Sequence, residues 1–380
     1  MNNCYVEINK DIIKNNIENI TKKYDNYQYY IGVVKGNAYG HGMEIVKTME
    51  DAGINYFAVS TLEEGIEARK YTGCDILCLQ PIDIEELNEA SKNNIAITIS
   101  SYDYFNRIKN IDCKLKVHIK IDSGMNRLGI NNERELLEIY DYVISNDNFE
   151  LVGIYTHLAT LGIIDKKWDN QINNFIKLTK NIDLESVPIV HIYSSNSLVT
   201  HPKLKIDNGV RIGILMYGIV PNPIKFIGLK GKLKKIKYKF LQKRYHISRT
   251  LDDYSVNVRP AFKLISKVIE IKDVKKGEYV GYGLKYKTTC DCKIAIIPVG
   301  YMDGLSLKNS GRSILINDKK YQIVGSINMK MITALVNNDV KVGDKVVVIG
   351  NNIKTVASIT GVTPHVVMTS IPKSIKRVYK

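Results

Sequence analysis

The sequence predicts an α/β protein in which a (β/α)8 barrel of the TIM type is followed by a C-terminal, mostly antiparallel β domain. The 380 residues exceed what one ordinary hydrophobic core organises. Short apolar runs alternate with helical patterns through the first 220 residues, and after about residue 258 the rhythm changes to short strands separated by turns. We therefore predict a barrel over residues 1–221, a basic insertion or linker over 222–257 and a β domain over 258–380.

Eight apolar runs in the first part of the chain are the predicted barrel strands. Near-continuous apolar strands that alternate with helices are typical of a parallel sheet covered on both faces, and eight such units fit a closed barrel better than an open sheet. The seven clear runs are Tyr30–Lys35, Tyr56–Thr61, Ile76–Pro81, Ile95–Ser100, Leu115–Asp122, Leu151–His157 and Ile189–Ser195. The eighth lies within Leu204–Tyr217.

The last 120 residues carry a different pattern, with short strands bounded by turn residues such as Asn317 and Asp318. This pattern predicts antiparallel pairing. The predicted strands are Lys263–Ile271, Ala295–Val299, Ser313–Ile316, Tyr321–Val324, Thr333–Val336 and Lys345–Ile349.

The net charge of +15 is concentrated in one segment, since ten Lys/Arg residues and no acid lie between Asn222 and Thr250. This location argues against nucleic-acid binding by the whole protein. Within the segment, apolar residues at helical spacing are flanked by lysines. We expect this apolar face to pack on its own domain; the alternative is an amphipathic helix at a membrane surface over residues 226–244. The apolar residues are Phe226, Leu229, Leu233, Ile236 and Phe240.

Composition indicates a globular cytoplasmic protein. The mean hydropathy is −0.14, and no apolar run approaches the roughly 18 residues that a membrane-spanning helix needs. The first twenty residues carry charges throughout and show no signal-peptide core. The six cysteines are irregularly spaced, which favours reduced structural thiols over disulfides, and no metal site is predicted.

Chemistry in a barrel of this kind is expected at the C-terminal ends of the strands. Lys35 stands out there, because an apolar strand delivers a charged amine to the barrel mouth. A lysine so placed is a phosphate binder, a general base or a nucleophile that forms an imine. The polar residues at these strand ends are Lys35, Lys120, Asp122, His157, Ser194, Ser195, Arg211 and Gly213.

The stretch VVKGNAYGHG (residues 33–42) is not a P-loop, because the order GxxxxGK[ST] is absent. Its glycines permit close backbone approach to a ligand, and Tyr39 adds a hydroxyl. A phosphate site built by Ser195 and the amides of Gly213 and Ile214 is typical of this fold. A lysine combined with a phosphate site predicts pyridoxal 5'-phosphate as the cofactor, attached to Lys35.

At this point the sequence resembles a known family, the alanine racemases, which are fold type III pyridoxal-phosphate enzymes. The resemblance spans nearly the whole chain, and seven motifs in order make it specific although each alone is weak. After VVKGNAYGHG, the matching motifs are KIDSGMNRLGI (120–130), YTHLAT (155–160), HIYSSNS (191–197), VRIGILMYG (210–218), GYGLKY (281–286) and VGYMDG (299–304).

The resemblance implies a racemase that interconverts L- and D-alanine, or a similar small amino acid such as serine, for cell-wall biosynthesis. Lys35 would hold the cofactor and remove the α-proton of one enantiomer. Tyr282, from the other subunit of a homodimer, would act as the acid/base on the opposite face. Racemisation by two bases needs a proton acceptor and a donor on opposite faces of the same carbon.

The resemblance also implies roles around the cofactor. Arg211 would face the pyridine nitrogen, His191 would hydrogen-bond Arg211, and His157 would orient Tyr282. The phosphate would be bound by Tyr39, Ser195 and the amides of Gly213 and Ile214.

For the substrate, the resemblance implies that Arg127 binds the carboxylate and that Met329 offers its backbone amide to the same group. Tyr301 would line the entrance. Lys120 stands at a position that is often carbamylated in the family.

The sequence departs from the family where Gly-Arg-x-x-Met-Asp is usual, because Ser326 replaces the arginine and Lys330 the aspartate. Lys373 replaces a tyrosine near the phosphate and substrate methyl, and the 222–257 insertion exceeds the family's usual link. These changes concern the substrate pocket, so serine or a broad range of amino acids is the first alternative to alanine.

Two other functions remain open from the residues. One is a pyridoxal-phosphate binding protein without racemase activity, against which the intact Tyr282 and His157 argue. The other is decarboxylation of a basic amino acid on the same fold. It is less favoured because Tyr282 suits proton return and no cysteine–aspartate pair appears at the C-terminal position that corresponds to the one in such decarboxylases.

Overall fold

The structure, a computed structural model, describes residues 4–160, 166–221 and 256–380, together with positions 229, 232–233, 235–237 and 239–240. It divides into two compact units. The barrel unit comprises Lys14–Gly36 and Val46–Val258, and the sheet unit comprises Met1–Ile13, Asn37–Ile45 and Arg259–Lys380. Within the described part of the chain, no helix is both long and apolar enough to cross a membrane.

The barrel unit contains the predicted closed barrel of eight parallel strands, which confirms the fold class. The first strand of the chain, β1 (Tyr5–Ile8), belongs to the sheet unit, so the barrel begins at β2. Closure is direct, because β9 pairs with β2 and places Gly209 opposite Tyr29. The barrel strands are β2 (Tyr29–Val33), β3 (Tyr56–Val59), β4 (Asp75–Cys78), β5 (Ile95–Ile99), β6 (Leu115–Lys120), β7 (Phe149–Tyr155), β8 (Ile189–Ser194) and β9 (Gly209–Ile212).

Some of the helices between the barrel strands begin at polar residues that cap them. Thr61 accepts a hydrogen bond from the Glu64 amide, and Asn132 accepts from the Arg134 and Glu135 amides. The helical segments in this part of the chain are α1 (Lys10–Lys23), α2 (Lys35–Tyr39), α3 (Ile45–Asp51), α4 (Leu62–Arg69), α5 (Leu87–Lys92), α6 (Tyr102–Ile108), α7 (Glu133–Ser145), α8 (Lys166–Leu178) and α9 (Ser195–Thr200).

The sheet unit is built on a nine-stranded sheet in the order β11-β14-β17-β16-β15-β18-β10-β1-β19. All its pairs are antiparallel except β1 with β19. The remaining strands are β10 (Phe262–Lys267), β11 (Glu270–Val274), β12 (Tyr279–Val280), β13 (Tyr286–Lys287), β14 (Cys292–Ile297), β15 (Ser313–Ile316), β16 (Lys319–Val324), β17 (Ile332–Val336), β18 (Lys345–Ile349) and β19 (Arg377–Tyr379). Two helices, α10 (Ile353–Thr360) and α11 (Pro364–Thr369), precede β19.

The N-terminal residues belong to a different unit from the one predicted. The prediction grouped residues 1–13 with the barrel, whereas β1 lies between β10 and β19, with Glu7 opposite both Lys263 and Val378. A four-residue strand followed by a helix resembles another barrel unit in sequence. Only long-range pairing assigns it to the sheet.

The predicted strand Lys263–Ile271 is wrong as a single element. It is divided into β10 and β11 because the chain changes partners at its centre. The Val268 amide donates to the Asp344 carbonyl, and the next amide, of Ile269, donates to the Ile296 carbonyl. The apolar residues spread along this stretch therefore gave no sign that the chain changes its partner strand at its centre.

The expectation that the apolar face of the basic segment packs on its own domain is wrong at the described positions. Four large apolar side chains there are exposed by 65% or more: Leu229, Leu233, Ile236 and Phe240. Phe226 lies outside the described residues.

Candidate active site

Lys35 begins a helical turn of the left-handed type at the end of β2. Asn37, Ala38 and Tyr39 have φ angles of 55°, 50° and 52°, and Gly36 has 65°. Side chains with a Cβ seldom adopt this conformation, which costs roughly 1–2 kcal/mol per residue. Strain of this kind persists only where surrounding contacts impose it, and it concentrates at functional sites.

The carboxylate of Glu64 fixes the start of this turn. Its two oxygens accept hydrogen bonds from the Gly36 amide at 2.6 Å and from the Ser60 amide at 2.9 Å. Glu64 therefore ties the ends of β2 and β3 together directly beside Lys35. Glu64 was not predicted as a site residue, because a glutamate in the first turn of a helix is an ordinary helix-terminal feature.

The two glycines that follow the turn approach the chain's own C-terminal segment rather than a ligand. A Cβ at Gly40 would meet the Met368 carbonyl, and a Cβ at Gly42 would meet the Tyr379 hydroxyl. The Arg377 Nε donates to the Gly40 carbonyl at 3.1 Å. Gly40 and Gly42, which were expected to permit close approach to a ligand, thus permit close packing of the chain within the sheet unit.

Tyr39 and His41, which lie on this loop, are buried in the sheet unit. Burial raises the pKa of the Tyr39 hydroxyl to about 12. Burial lowers the pKa of His41 to about 4, and the His41 ring packs edge-on against Phe262 at 5.3 Å. His41 is therefore a neutral core residue.

Lys35 and Lys120 occupy a strongly cationic environment at the strand ends of the barrel unit. The Lys35 side chain reaches solvent, yet its pKa is lowered, first by partial burial and next by Arg127; Arg211 acts in the same direction and Glu64 opposes it. Lys120 is 6% exposed, and burial, Arg127 and Arg211 lower its pKa to about 8. Both environments therefore favour the neutral amine relative to a free lysine.

Arg211 is held rigidly inside the barrel by backbone carbonyls. It is 4% exposed and donates to the carbonyls of His191 and Thr156, both at 2.6 Å, and of Ile192 at 2.9 Å. Its guanidinium lies 5.3 Å from the centre of the Tyr155 ring. Burial lowers its pKa to about 10, which leaves it charged at neutral pH.

A chain of hydrogen bonds links Arg211 to the rings of His191, His118 and Tyr56 in turn. His191 Nδ1 lies 2.6 Å from Arg211 Nη1, and His191 Nε2 lies 3.0 Å from His118 Nδ1. His118 Nε2 lies 3.0 Å from the Tyr56 hydroxyl. Because Arg211 can only donate, His191 Nδ1 accepts and Nε2 carries the proton. Burial and Arg211 lower the histidine pKa values, to about 3 for His118 and well below the ordinary range for His191.

His157 follows β7 and reaches the other side of the guanidinium, with its Nδ1 at 3.4 Å from Arg211 Nη2. Burial and the nearby cations, Arg211 first, lower the His157 pKa to about 3. Tyr155 stacks on the His191 ring at 4.6 Å between centres. Tyr155 and His118 were not singled out in the sequence, since their functional signal is only that strand residues facing the barrel interior are polar.

Arg127 lies on a loop that Asp122 organises. One carboxylate oxygen of Asp122 accepts from the amides of Gly124, Met125 and Asn126, at 2.9, 2.8 and 3.1 Å. The loop therefore turns back at the end of β6 and presents Arg127 to Lys35 and Lys120, whose pKa values it lowers.

Three of the four residues expected to bind phosphate lie after β8 and β9, whereas Tyr39 belongs to the sheet unit. The Gly213 amide donates to the Ser195 hydroxyl at 2.8 Å, and both Ser195 and Ile214 are buried. All the sequence-predicted site residues numbered 35 and from 120 to 214 thus belong to the barrel unit.

The other predicted site residues lie in the sheet unit. Tyr282 is 77% exposed, and its carbonyl accepts from the Ser326 hydroxyl at 2.9 Å. Tyr301 and Met329 are about half exposed, and Lys373 is exposed. Ser326, which replaces the usual arginine, therefore holds the loop that carries Tyr282.

Lys330, the second departure from the family pattern, forms an ion pair with Asp303 at 2.6 Å. Asp303 is 2% exposed and also accepts from the Gly300 amide at 3.0 Å. Lys330 thus neutralises a buried carboxylate within the VGYMDG motif.

These features define a (β/α)8-barrel enzyme whose mouth carries an amine of lowered pKa among cations, an arrangement suited to an anionic cofactor or substrate. Comparison with known proteins identifies the family. Residues 8–221 match the alanine racemase N-terminal domain and residues 261–379 the alanine racemase C-terminal domain. The chain belongs to the alanine racemase family and is an isomerase of the amino-acid racemase type.

Individual relatives agree with this assignment. The alanine racemase of Clostridium novyi (strain NT) is 30% identical over 99% of this chain and 95% of its own. The solved alanine racemase of Clostridium difficile 630 is 31% identical, with a TM-score of 0.85 over 100% of this chain and 96% of its own. A histidine racemase from Leuconostoc mesenteroides subsp. sake shares the fold, at 23% identity and a TM-score of 0.83 over 100% of this chain and 98% of its own.

Proposed function

We propose that this protein interconverts the L and D forms of alanine with pyridoxal 5'-phosphate as cofactor. The observation that carries the proposal is the Lys35 amine of lowered pKa, surrounded by Lys120, Arg127 and Arg211. This donor set fits a cofactor with a phosphate and a phenolic oxygen, because cations stabilise both anionic groups. When bound, pyridoxal phosphate withdraws electrons from the substrate's α-carbon and makes its hydrogen acidic.

In this mechanism Lys35 holds the cofactor and takes the α-proton on one face. Burial and the neighbouring cations lower its pKa, which favours the neutral, proton-accepting form of the amine relative to a free lysine. Arg127 binds the carboxylate of the substrate. Lys120, with a pKa of about 8, is the lysine whose neutral form is available for carbamylation.

Arg211 faces the pyridine nitrogen in this proposal. A guanidinium that stays charged and bonded to three carbonyls cannot transfer its proton to the ring. Arg211 would therefore leave the pyridine nitrogen without a proton, which would favour return of the substrate proton over competing reactions. The phosphate would be bound by Ser195 and the Gly213 and Ile214 amides.

Tyr282 supplies the second acid/base from the partner subunit of a homodimer. It is the most exposed tyrosine of the described sheet unit, and apolar neighbours accompany it to the surface. Such a cluster suits contact with a second copy of the chain. The exposed neighbours are Leu284, Tyr301, Met302 and Met329. In that dimer Tyr301 lines the entrance, Met329 contacts the substrate carboxylate and His157 orients Tyr282.

The cofactor-loaded protein should be incubated with a panel of L-amino acids, including alanine, serine, histidine, lysine and ornithine, while D-isomer and carbon dioxide are measured. We expect alanine to give the highest kcat/KM and carbon dioxide to be absent. Faster serine conversion would assign the Lys373 departure to substrate choice. Complete inactivity would indicate a cofactor-binding protein without racemase activity, and carbon dioxide release would indicate a decarboxylase.

Replacing Lys35 with Ala should abolish racemisation and the visible absorbance of covalently attached cofactor. The matched control is Lys47→Ala on α3, an exposed lysine that pairs with Asp51 at 2.9 Å. The control should keep both signals. Retention of the visible band in Lys35→Ala would contradict the assignment of this lysine.

We place the protein in the cytoplasm, with its product supplied to cell-wall biosynthesis. The support is that all six cysteines are free thiols, as a reducing compartment maintains them.

A further inference from the structure

The strongest unexplained surface is the apolar face of the basic segment. Leu229 is 84% exposed, and Leu233, Ile236 and Phe240 are 65–66% exposed. All four positions are helical, and spacings of four, three and four residues place them within an arc of roughly 60° at about 100° per residue. We name these four residues the insertion face. Large apolar side chains aligned on one exposed face mark an interaction site.

The charge around the insertion face is uniformly positive. The described lysines between its apolar residues are exposed, and the sequence from Asn222 to Thr250 contains ten Lys/Arg residues and no acid. These lysines are Lys232, Lys235, Lys237 and Lys239. The face therefore carries both an apolar stripe and a one-signed electrostatic attraction.

This surface lies outside both domains that define the family. The two family models end at residue 221 and resume at residue 261. The features that place Lys35, Arg127 and Arg211 belong to the barrel itself. The insertion face is thus an addition with chemistry of its own.

Among anionic partners, a lipid bilayer uses both properties at once. Nucleic acid binds lysines through its phosphates but would leave an aliphatic stripe in water. At a bilayer surface, the apolar stripe enters the boundary between headgroups and acyl chains while the flanking lysines reach anionic headgroups. Lysine stems extend along an apolar surface and keep the ammonium groups at the polar level.

We propose that the insertion face binds the surface of bilayers rich in anionic phospholipid and holds the enzyme there as a peripheral protein. The four apolar side chains of the insertion face enter the headgroup boundary of the bilayer. The binding is reversible and weakens as salt screens the lysines.

The test is flotation of the full cofactor-loaded chain with vesicles. Vesicles of equal parts phosphatidylcholine and phosphatidylglycerol should carry the protein at about 0.1 M salt, and about 0.5 M salt should release most of it. Vesicles of phosphatidylcholine alone should bind at least about tenfold less. Equal binding to both vesicle types, or none to either, would overturn the proposal.

The apolar contribution is separated by a double variant, Leu233→Gln with Ile236→Gln, which keeps every charge. It should lose binding to anionic vesicles by about tenfold or more, since two inserted side chains are removed. The matched control is Ile144→Gln with Ile176→Gln, which changes two isoleucines exposed by 56% and 51% on α7 and α8. Unchanged vesicle binding in the first variant would contradict insertion of the face.

The charge contribution is tested by Lys235→Gln with Lys239→Gln against Lys272→Gln with Lys319→Gln, two exposed lysines of the sheet unit. Only the first pair should weaken vesicle binding and flatten its salt dependence. A single-stranded RNA of mixed sequence serves as competitor. Displacement of the protein from vesicles by RNA, together with loss of RNA binding in Leu233→Gln/Ile236→Gln, would assign the face to nucleic acid instead. All variants should retain racemisation and cofactor absorbance, which reports folding.

Discussion

Arg211 shows how single residues set the chemistry of the site. A cation buried beside three histidines would ordinarily be unfavourable, but carbonyl oxygens of Thr156, His191 and Ile192 solvate it. Burial, with the same positive charge as the second cause, lowers the pKa values of the neighbouring histidines and keeps them neutral. The polar groups of the barrel interior are therefore mutually dependent.

Replacing Arg211 with Gln should destabilise the protein by about 2–4 kcal/mol, because buried carbonyls lose their donors. Racemisation should fall as well. Thermal unfolding and steady-state kinetics measure the two effects. Arg69→Gln is the matched control, because Arg69 likewise donates to backbone carbonyls but lies away from the site. Its four acceptors are the carbonyls of Thr72, Cys74, Asn93 and Asn94. It should lose stability and keep kcat; equal loss of kcat in both variants would contradict the role of Arg211.

Among the elements, the left-handed turn after β2 depends most on its surroundings. Its sequence, Asn-Ala-Tyr between glycines, has no residue that demands positive φ. The Glu64 clamp and the packing of the following loop against Met368 and Tyr379 impose it. Local sequence therefore predicted the strand and the glycine loop, but not the handedness.

A pair of alanines measures this strain. Ala38 and Ala68 are both fully buried, but they differ in backbone conformation. Ala38 has a φ of 50°, whereas Ala68 lies within the helix α4, where a glycine is intrinsically unfavourable. Ala38→Gly should be nearly neutral, because relief of roughly 1 kcal/mol offsets the lost methyl packing. Ala68→Gly should cost about 1–2 kcal/mol more in thermal unfolding. Equal costs would show that the turn is unstrained.

The eight barrel strands were predictable, because strands buried on both faces are apolar along nearly their whole length. The bounds of β15 and β18, which are partly exposed, were predictable from the turn residues around them. Elements whose partners are remote in sequence were not. β1 pairs with β10 across more than 250 residues and with β19 across more than 350 residues, as Val6 opposite Leu264 and Arg377 shows. In the site, strand-end residues such as Lys35 and Arg211 were predictable, whereas Glu64 required the fold.

For the whole molecule, buried neutral histidines predict sensitivity to acid. His41 and His118 have folded pKa values of about 4 and about 3, below the ordinary value near 6.5, so the unfolded chain binds more protons in acid. The stability they contribute is present above about pH 6.5 and is lost as pH falls toward the folded values.

Each of these two histidines should cost about 2 kcal/mol of stability by pH 5. Urea unfolding midpoints at about pH 7.5 and pH 5 measure the loss, with His118→Asn as a variant whose pH dependence should be flatter. A midpoint that stays constant or rises in acid would contradict the burial of neutral histidines.

The most direct test of the central account mixes two inactive variants. Lys35→Ala keeps Tyr282, and Tyr282→Phe keeps Lys35, so a mixed dimer has one site with both groups if the site is shared between subunits. Each variant alone should be almost inactive toward alanine, and an equal, reassociated mixture should recover roughly a quarter of wild-type racemisation. A mixture that forms mixed dimers with bound cofactor and stays inactive would contradict a shared Lys35–Tyr282 site.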